Sequence, residues 1–120
     1  MILIEAKENS PYILLEPSEH YMIVKGNSFM TNPSQFYSAI NNWISTYTVP
    51  TGEQFRIELT MGYYNTTSIQ IINLLFKTLH KNNPHKIKLK IFIDKEEEDL
   101  IECAGSLTFN TGLVPQIELF

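Results

Sequence analysis

The chain has 120 residues, of which 43% are hydrophobic and 18% are charged, and its formal net charge is −4. These values predict a single folded domain spanning residues 1–120 and exclude an intrinsically disordered chain. The negative charge argues against a nucleic-acid partner, which would require a basic face to neutralise phosphates.

The cysteine content and the hydropathy of the chain favour a cytoplasmic protein. Cys103 is the only cysteine, so no internal disulfide can form, and a single thiol suits a reducing compartment. No apolar run approaches the roughly 20 residues that a membrane-spanning helix needs. We therefore expect no membrane insertion.

The N-terminal part of the chain predicts a β-hairpin. Residues Ile2 to Lys7 form a short apolar leader that is compatible with a small strand. Two apolar runs, Tyr12 to Glu16 and Tyr21 to Lys25, are joined by the turn residues Pro17 to His20. Gly26 and Asn27 are expected to end the second strand.

A helix with an aromatic face is predicted next. Asn32 is a candidate N-cap, Pro33 suits the first helical position and Gln35 completes a capping-box-like arrangement. Large apolar residues then recur at helical spacing, namely Phe36, Ile40, Trp43 and Tyr47. Such a stripe indicates a core-facing helix rather than a cofactor site, and the loop 48–54 follows it.

The middle of the chain predicts a strand followed by a helix. Phe55 to Met61 alternates apolar and polar residues, as expected for a strand with one buried face. The helix after Thr67 has apolar residues on several sides, including Ile71 and Leu74, so we expect burial on more than one side. The sequence Asn82-Asn83-Pro84 should end it.

The C-terminal part predicts a strand, a helix and a final strand. Lys86 to Asp94 alternates, with apolar residues on one face and mainly lysines on the other. Lys95 to Asp99 should begin a helix whose first turn carries four acids, where the helix dipole favours negative charge. Val114 to Phe120 is predicted to be the last strand.

The element order is therefore β-β-α-β-α-β-α-β. Strands that alternate with helices indicate an α/β fold with a mainly parallel sheet, to which the hairpin adds an antiparallel edge. Because the alternating strands have one polar face, we expect helices mainly on one face of this mixed sheet. The other face is either solvated or a docking surface.

The junction Tyr63-Tyr64-Asn65-Thr66-Thr67-Ser68 is the best candidate site. It connects a strand to a helix, and the first N–H groups of a helix lack partners and favour an anion. Thr66 and Thr67 would hold their hydroxyls at or next to the N-cap. The alternative is that these residues only cap the helix, since Thr67 and Gln70 fit a capping box.

Other groups of reactive residues do not form a recognisable active site. The histidines lack acidic or cysteine partners at ligand spacing, and Cys103 has apolar neighbours that indicate a buried structural thiol. The acids Glu96 to Asp99 are interpreted as a solvated helix start, and the lysines of Lys86 to Asp94 as a solvated strand face. We therefore expect no enzyme activity, no metal and no cofactor.

The sequence resembles the SiaC family of bacterial regulatory phosphoproteins. The segment Tyr63 to Ser68, followed by an apolar helix, resembles the family's Y-x-N-T-[ST]-S segment. A second segment, G-x-S-[YF]-x-x-N followed by F-Y and W, is matched by Gly26 to Asn32 with Phe36, Tyr37 and Trp43. The strand end and acidic helix start at Phe92 to Glu98 also fit, so that the similarity covers nearly the whole chain.

The resemblance implies a fold similar to the STAS domain of anti-sigma-factor antagonists. It also implies a phosphorylation site at Thr66, a partner serine/threonine kinase, a PP2C-type phosphatase, and an effector such as a diguanylate cyclase. Residues expected at the partner-binding surface are Tyr63, Tyr64, Asn65, Thr67, Ser68, Asn27, Ser28 and Phe29. The alternative is a STAS-like module that binds a nucleotide or another small anion at the helix start after Thr66.

Overall fold

Six strands form one mixed sheet in the computed structural model, which describes residues 1–120. The strands are β1 (Ile2–Ile4), β2 (Tyr12–Glu16), β3 (Tyr21–Ser28), β4 (Phe55–Tyr64), β5 (Ile87–Ile93) and β6 (Gln116–Leu119). The helices are α1 (Pro33–Phe36), α2 (Ser38–Thr46), α3 (Thr66–Asn82) and α4 (Asp99–Thr108). None of them combines the length and the apolar character that crossing a membrane would require.

The strands lie in the sheet in the order in which they occur in the chain. β1 pairs with β2 and β2 with β3 in antiparallel fashion, whereas β3, β4, β5 and β6 are parallel neighbours. This confirms the predicted parallel sheet with an antiparallel hairpin at one edge. The leader adds β1, which is shorter than the predicted range Ile2 to Lys7.

The hydrophobic core lies on one face of the sheet, as the alternation predicted. The side chains of Ile57 and Leu59 in β4 and of Ile91 in β5 are completely buried, whereas Arg56 and Lys88 on the opposite face are exposed. One continuous cluster of buried residues joins this face to the helices. The core-facing residues of the helices include Ile40, Ile44, Ile72, Leu79 and Leu107.

Strands β3 and β4 both extend beyond their predicted ends. Gly26 and Asn27 do not end β3, because Gly26 adopts a φ of 116° and the pairing with β4 shifts register between Gly26 and Ser28. The strand continues through this β-bulge, and Ser28 pairs with Tyr64 at the end of β4. The bulge thus brings the predicted segment Gly26 to Asn32 to the start of α3.

All three predicted helices differ in their boundaries, and the middle one, α3, begins at Thr66 rather than after Thr67. The first is divided at Tyr37, which has φ −86° and ψ 2° and whose N–H bonds to the carbonyl of Pro33. The last begins at Asp99, because the backbone N–H of Glu96 bonds to the Asp94 carboxylate in a turn that precedes the helix. Only one of the four predicted acids is therefore helical. Leu74, predicted to be buried, is 58% exposed.

The last strand is shorter than predicted and lies at the open edge of the sheet. β6 spans four residues rather than the range Val114 to Phe120, and all four are exposed. Val114, predicted to begin this strand, precedes it and is 90% exposed. The edge position explains the exposure, since β6 has a neighbouring strand on one side only.

Candidate functional site

The candidate site lies where β4 passes into α3, beside the extended end of β3. The amide N–H of Tyr63 donates to Asn27 Oδ1 at 2.9 Å, and the N–H of Asn65 donates to the Ser28 carbonyl at 3.0 Å. A Cβ on Gly62 would lie 2.5 Å from both Asn27 Oδ1 and the Gly26 carbonyl oxygen. The absence of a side chain at Gly62 is therefore what allows β4 to approach the bulge so closely.

Asn65 caps α3 and also anchors it to the neighbouring loop. Its Oδ1 accepts the backbone N–H of Ser68 at 3.0 Å, and its Nδ2 donates to the Met30 carbonyl at 3.3 Å. The predicted capping box of Thr67 and Gln70 is therefore wrong. Thr67 is the second residue of the helix, and Asn reaches the N–H groups of the first turn as effectively as Thr does.

The three hydroxyls of Thr66, Thr67 and Ser68 have three different environments. The Thr66 side chain is exposed and makes no hydrogen bond within the chain, whereas the Thr67 hydroxyl donates to Asn65 Oδ1 at 3.3 Å. Ser68 is completely buried. Of the three, Thr66 is the one whose hydroxyl is both accessible and free.

Ser68 belongs to a buried chain of hydroxyl groups under the site. Ser28 Oγ donates to Ser68 Oγ at 2.9 Å and lies 2.7 Å from the Tyr37 hydroxyl. In the shorter bond either the Ser28 or the Tyr37 hydroxyl can donate. Burial raises the pKa of Tyr37 to about 12, although its hydrogen bond with Ser28 lowers it. These hydrogen-bonded hydroxyls connect β3, α3 and the turn between α1 and α2.

Tyr64 is the second buried tyrosine, and its hydroxyl has no partner. The residue is 5% exposed, and its Oη is the one buried side-chain oxygen or nitrogen that lacks a hydrogen bond. Burial, with smaller contributions from Tyr37 and Cys103, raises the pKa of Tyr64 well above its usual range. The hydroxyl therefore stays protonated.

The predicted partner-binding residues fall into an exposed group and a buried group. Tyr63 is 62% exposed, and its ring meets that of Phe29 edge-on with centroids 5.7 Å apart. Thr67 is exposed, and Asn27 and Asn65 are partly exposed. Ser28, Ser68 and Tyr64 are buried, so in this structure they support the surface from beneath and cannot contact a partner.

The side of the α3 start that faces α1 and α2 is built from segments without charged residues, a feature that the sequence interpretation missed. No Asp, Glu, Lys, Arg or His occurs between Gly26 and Gly52 or between Leu59 and Phe76. These segments contain α1, α2 and the first part of α3, which pack side by side. The signal was visible in the sequence as two long gaps between charged residues, but only the fold shows that the two gaps form one surface.

Charged residues lie on the other side of the α3 start. An open groove of about 280 Å³ separates it from α4, with Tyr63 and Ile69 on one wall and Asp99 and Glu102 on the other. Cys103 also lines this groove, and burial together with the Asp99 carboxylate raises the pKa of its thiol. The thiol is thus a weak nucleophile, although Cys103 is only partly buried and is not the buried thiol that its apolar neighbours predicted.

The remaining candidate groups do not assemble into a site. His20 Nδ1 lies 3.2 Å from the Tyr47 hydroxyl, and the rings of His80 and His85 are 6.0 Å apart. No three His, Cys, Asp or Glu side chains lie close enough together to hold a metal ion. Lys90 forms an ion pair with Glu118 at 3.6 Å on the open face of the sheet.

Comparison with known proteins identifies relatives along nearly the whole chain. A family model described as SiaC family regulatory phosphoprotein matches residues 4–116. No curated protein matches the sequence significantly.

Solved structures with the same fold come from Pseudomonas aeruginosa. A chain in the complex of the diguanylate cyclase SiaD with its activator SiaC has a TM-score of 0.85 and 16% identity, with 100% of each chain covered. A structure of SiaC has a TM-score of 0.79 and 17% identity, covering 99% of this chain and 98% of that one. For apo-SiaC the TM-score is 0.76 and the identity is 16%, with 98% and 97% covered.

Proposed function

Because the chain belongs to the SiaC family of regulatory phosphoproteins, we propose that it is a non-enzymatic partner switch controlled by phosphorylation of Thr66. A partner serine/threonine kinase adds the phosphate, and a PP2C-type phosphatase removes it. The unphosphorylated chain binds and regulates an effector, such as a diguanylate cyclase, in the bacterial cytoplasm. SiaC is the activator of the diguanylate cyclase SiaD in P. aeruginosa, which motivates this choice of effector class.

The observation that carries the proposal is the free, exposed hydroxyl of Thr66 at the first position of α3. A kinase needs access to the hydroxyl oxygen, and Thr66 provides it without breaking an internal hydrogen bond. Modification of Ser68 would require the buried hydroxyl chain to open. Modification of Thr67 would disrupt its bond to Asn65, the residue that caps the helix.

The physical effect of the phosphate follows from where it is placed. Phosphorylation adds about −1.5 to −2 charges at neutral pH, and the start of a helix tolerates an anion. The fold should therefore survive. A partner packed over Thr66 on the side that faces α1 and α2 would have to desolvate the dianion, and this chain supplies no cation there to pair with it, so the partner should dissociate.

The parallel strands β3 to β6 with their intervening helices support a STAS-like interpretation of the fold.

The alternative function, binding of a nucleotide or small anion at the α3 start, has less support. The side of the α3 start that faces α1 and α2 is formed by residues of Gly26 to Gly52 and Leu59 to Phe76. These segments supply no Lys, Arg or His to pair with a bound phosphate.

The test is capture of partners from the native cell with wild type, Thr66→Ala and Thr66→Glu, read by mass spectrometry. We expect wild type and Thr66→Ala to capture a common effector that Thr66→Glu loses, and we expect a phosphate on Thr66 in cells that retain the kinase. Thr51→Ala and Thr51→Glu serve as matched controls, because Thr51 carries an exposed hydroxyl in the loop before β4, at the other end of that strand. Equal capture by all variants, with no phosphate on wild type, would show that Thr66 is only part of the helix start.

A further inference from the structure

The open groove between the start of α3 and α4 combines aromatic, apolar and acidic side chains. Tyr63 and Ile69 form one wall, and Asp99, Leu100 and Glu102 form the other. Small-molecule pockets usually have volumes of about 300–1,000 Å³ and enclose most of their ligand. The groove has a volume of about 280 Å³ and is open to solvent. It therefore suits one long side chain of a protein partner better than a free small molecule.

The negative charge of the chain is concentrated beside this groove. Residues 94–102 include six acids and one lysine, a net charge of −5, whereas the rest of the chain has seven acids and eight Lys or Arg residues. Asp99 and Glu102 are exposed, and neither carboxylate has an ion-pair partner in the chain. The first basic residue of α3, Lys77, is not in the groove lining and lies about 12 Å beyond Ile69 along the helix axis. The acidic wall therefore attracts a cation from outside the chain.

Two tyrosines give the groove features that fit a guanidinium group. Tyr63 is 62% exposed, and guanidinium groups stack on tyrosine rings. Tyr64 is the one buried residue in the groove lining, so it forms the floor, and its hydroxyl has no hydrogen-bond partner. Burial, then Tyr37 and the groove-lining Cys103, raise the pKa of Tyr64, which places its hydroxyl near the groove. The oxygen of this protonated hydroxyl can accept an N–H donor.

We propose that this groove binds an arginine side chain of a protein partner. Asp99 and Glu102 would pair with the guanidinium group. The Tyr63 ring would stack on it, and the Tyr64 hydroxyl would accept one of its N–H groups. Arginine fits better than lysine, because a guanidinium group is planar and has five N–H donors for several acceptors, whereas an ammonium group is a compact and strongly hydrated charge. The site does not require modification of Thr66, so the inference goes beyond the proposed function and stands without it.

The position of Thr66 indicates which kind of partner this groove fits. Thr66 is three residues before Ile69, and residues at this spacing are neighbours on the surface of a helix. A phosphate on Thr66 would add about −1.5 to −2 charges near the acidic wall. It would therefore strengthen the binding of an arginine. Within the proposed switch, the phosphatase is the partner that has to bind the phosphorylated chain, so this side of α3 fits the phosphatase and not the effector.

The test is an NMR titration of the isotope-labelled full chain with blocked peptides of glycine and serine that carry one central arginine, lysine or glutamate. We expect the arginine peptide to shift the amide signals of Tyr63, Tyr64 and Cys103, with a dissociation constant on the order of 1 mM. The lysine peptide should bind at least about threefold more weakly, and the glutamate peptide should not bind. Asp99→Asn combined with Glu102→Gln should weaken the binding of the arginine peptide by at least about tenfold.

The matched control is Glu96→Gln combined with Glu97→Gln, which removes the same charge from exposed acids outside the groove lining. At about 0.15 M salt, where the Debye length is about 8 Å, it should weaken the binding by less than about twofold. Equal losses in the two double variants would mean unspecific attraction and would overturn the site.

A further variant and the other peptides test the occupant. Tyr64→Phe should weaken the binding of the arginine peptide by about threefold and leave that of the lysine peptide unchanged. An unchanged affinity for arginine would overturn the role of the Tyr64 hydroxyl, and equal affinity for arginine and lysine would overturn arginine as the occupant. The spectrum of each variant verifies its fold. Because the titrations do not involve Thr66, their failure would leave the proposed switch intact.

Discussion

Helices α3 and α4 both begin where a parallel strand of the sheet ends, yet their first turns are built differently. α3 follows β4 and is capped by the Asn65 side chain, with no charged residue in its first turn. α4 follows β5, begins after Glu98 without a side-chain cap, and carries Asp99 and Glu102 in its first turn. The two starts lie on opposite walls of one groove.

The two helices therefore differ in the groups that interact with the positive end of the helix dipole. At α4 permanent carboxylates complement the dipole, and they are exposed to solvent. At α3 a neutral amide satisfies one N–H group, and the dipole is left without a charged partner. A start of this second kind has room for an anion that is added and removed, which is what a phosphorylation switch at Thr66 requires.

The β4–α3 junction and helix α4 should differ most in how a glycine-to-alanine substitution changes the free energy of unfolding. Gly62→Ala would place a Cβ against the Gly26 carbonyl and Asn27, so we expect a loss of about 2–3 kcal/mol in the free energy of unfolding. Gly105→Ala, inside α4, has no atom within 4 Å of the new Cβ and should gain about 0.5–1 kcal/mol. Urea unfolding measures both. Equal effects would mean that the bulge does not constrain the α3 start.

The two buried tyrosines below the α3 start provide a second contrast. Tyr37→Phe removes the hydroxyl that bonds to Ser28, and we expect a loss of about 1 kcal/mol in the free energy of unfolding. Tyr64→Phe removes a hydroxyl that has no partner, and it should leave stability unchanged or increase it. The two substitutions delete the same atom, which makes each the control for the other. Destabilisation by Tyr64→Phe would indicate that its hydroxyl has a partner in solution.

The capping residues themselves should give a smaller difference. Asn65→Ala removes the cap and its bond to Met30, at a cost of about 1 kcal/mol that salt should not alter. Asp99→Asn removes one exposed charge from the α4 dipole, at a cost of about 0.3–0.5 kcal/mol that should vanish at about 1 M salt. Unfolding at low and high salt compares them. If salt changed the loss of unfolding free energy caused by Asn65→Ala, the α3 start would not be stabilised by an uncharged cap.

Much of the fold was predictable because local patterns of apolar and polar residues specify it. The alternation in β4 and β5 shows which residues face the core, and the helices between the strands indicate a parallel sheet. The bulge at Gly26 was not predictable, because Gly-Asn is also a common way to end a strand. Its effect depends on the pairing of Ser28 with Tyr64, which are distant in sequence.

The strand-to-helix junction that carries the candidate site was predictable from the sequence, but the contacts of its residues were not. Asn65, Thr66 and Thr67 are all reasonable capping residues, and only the geometry distinguishes the cap from the free hydroxyl. The burial of Ser68 depends on its contact with Ser28, 40 positions away in the chain. The exposure of Leu74 could not be predicted, since an apolar residue at core-like spacing is usually buried.

The most direct test of the switch compares the affinity of the effector for the unphosphorylated chain and for the chain phosphorylated on Thr66. Burial of an unpaired charge costs about 3–5 kcal/mol, which corresponds to a loss of affinity of at least about 100-fold. We expect this loss, with an unchanged fold as judged by circular dichroism. Equal or tighter binding of the phosphorylated chain would contradict it.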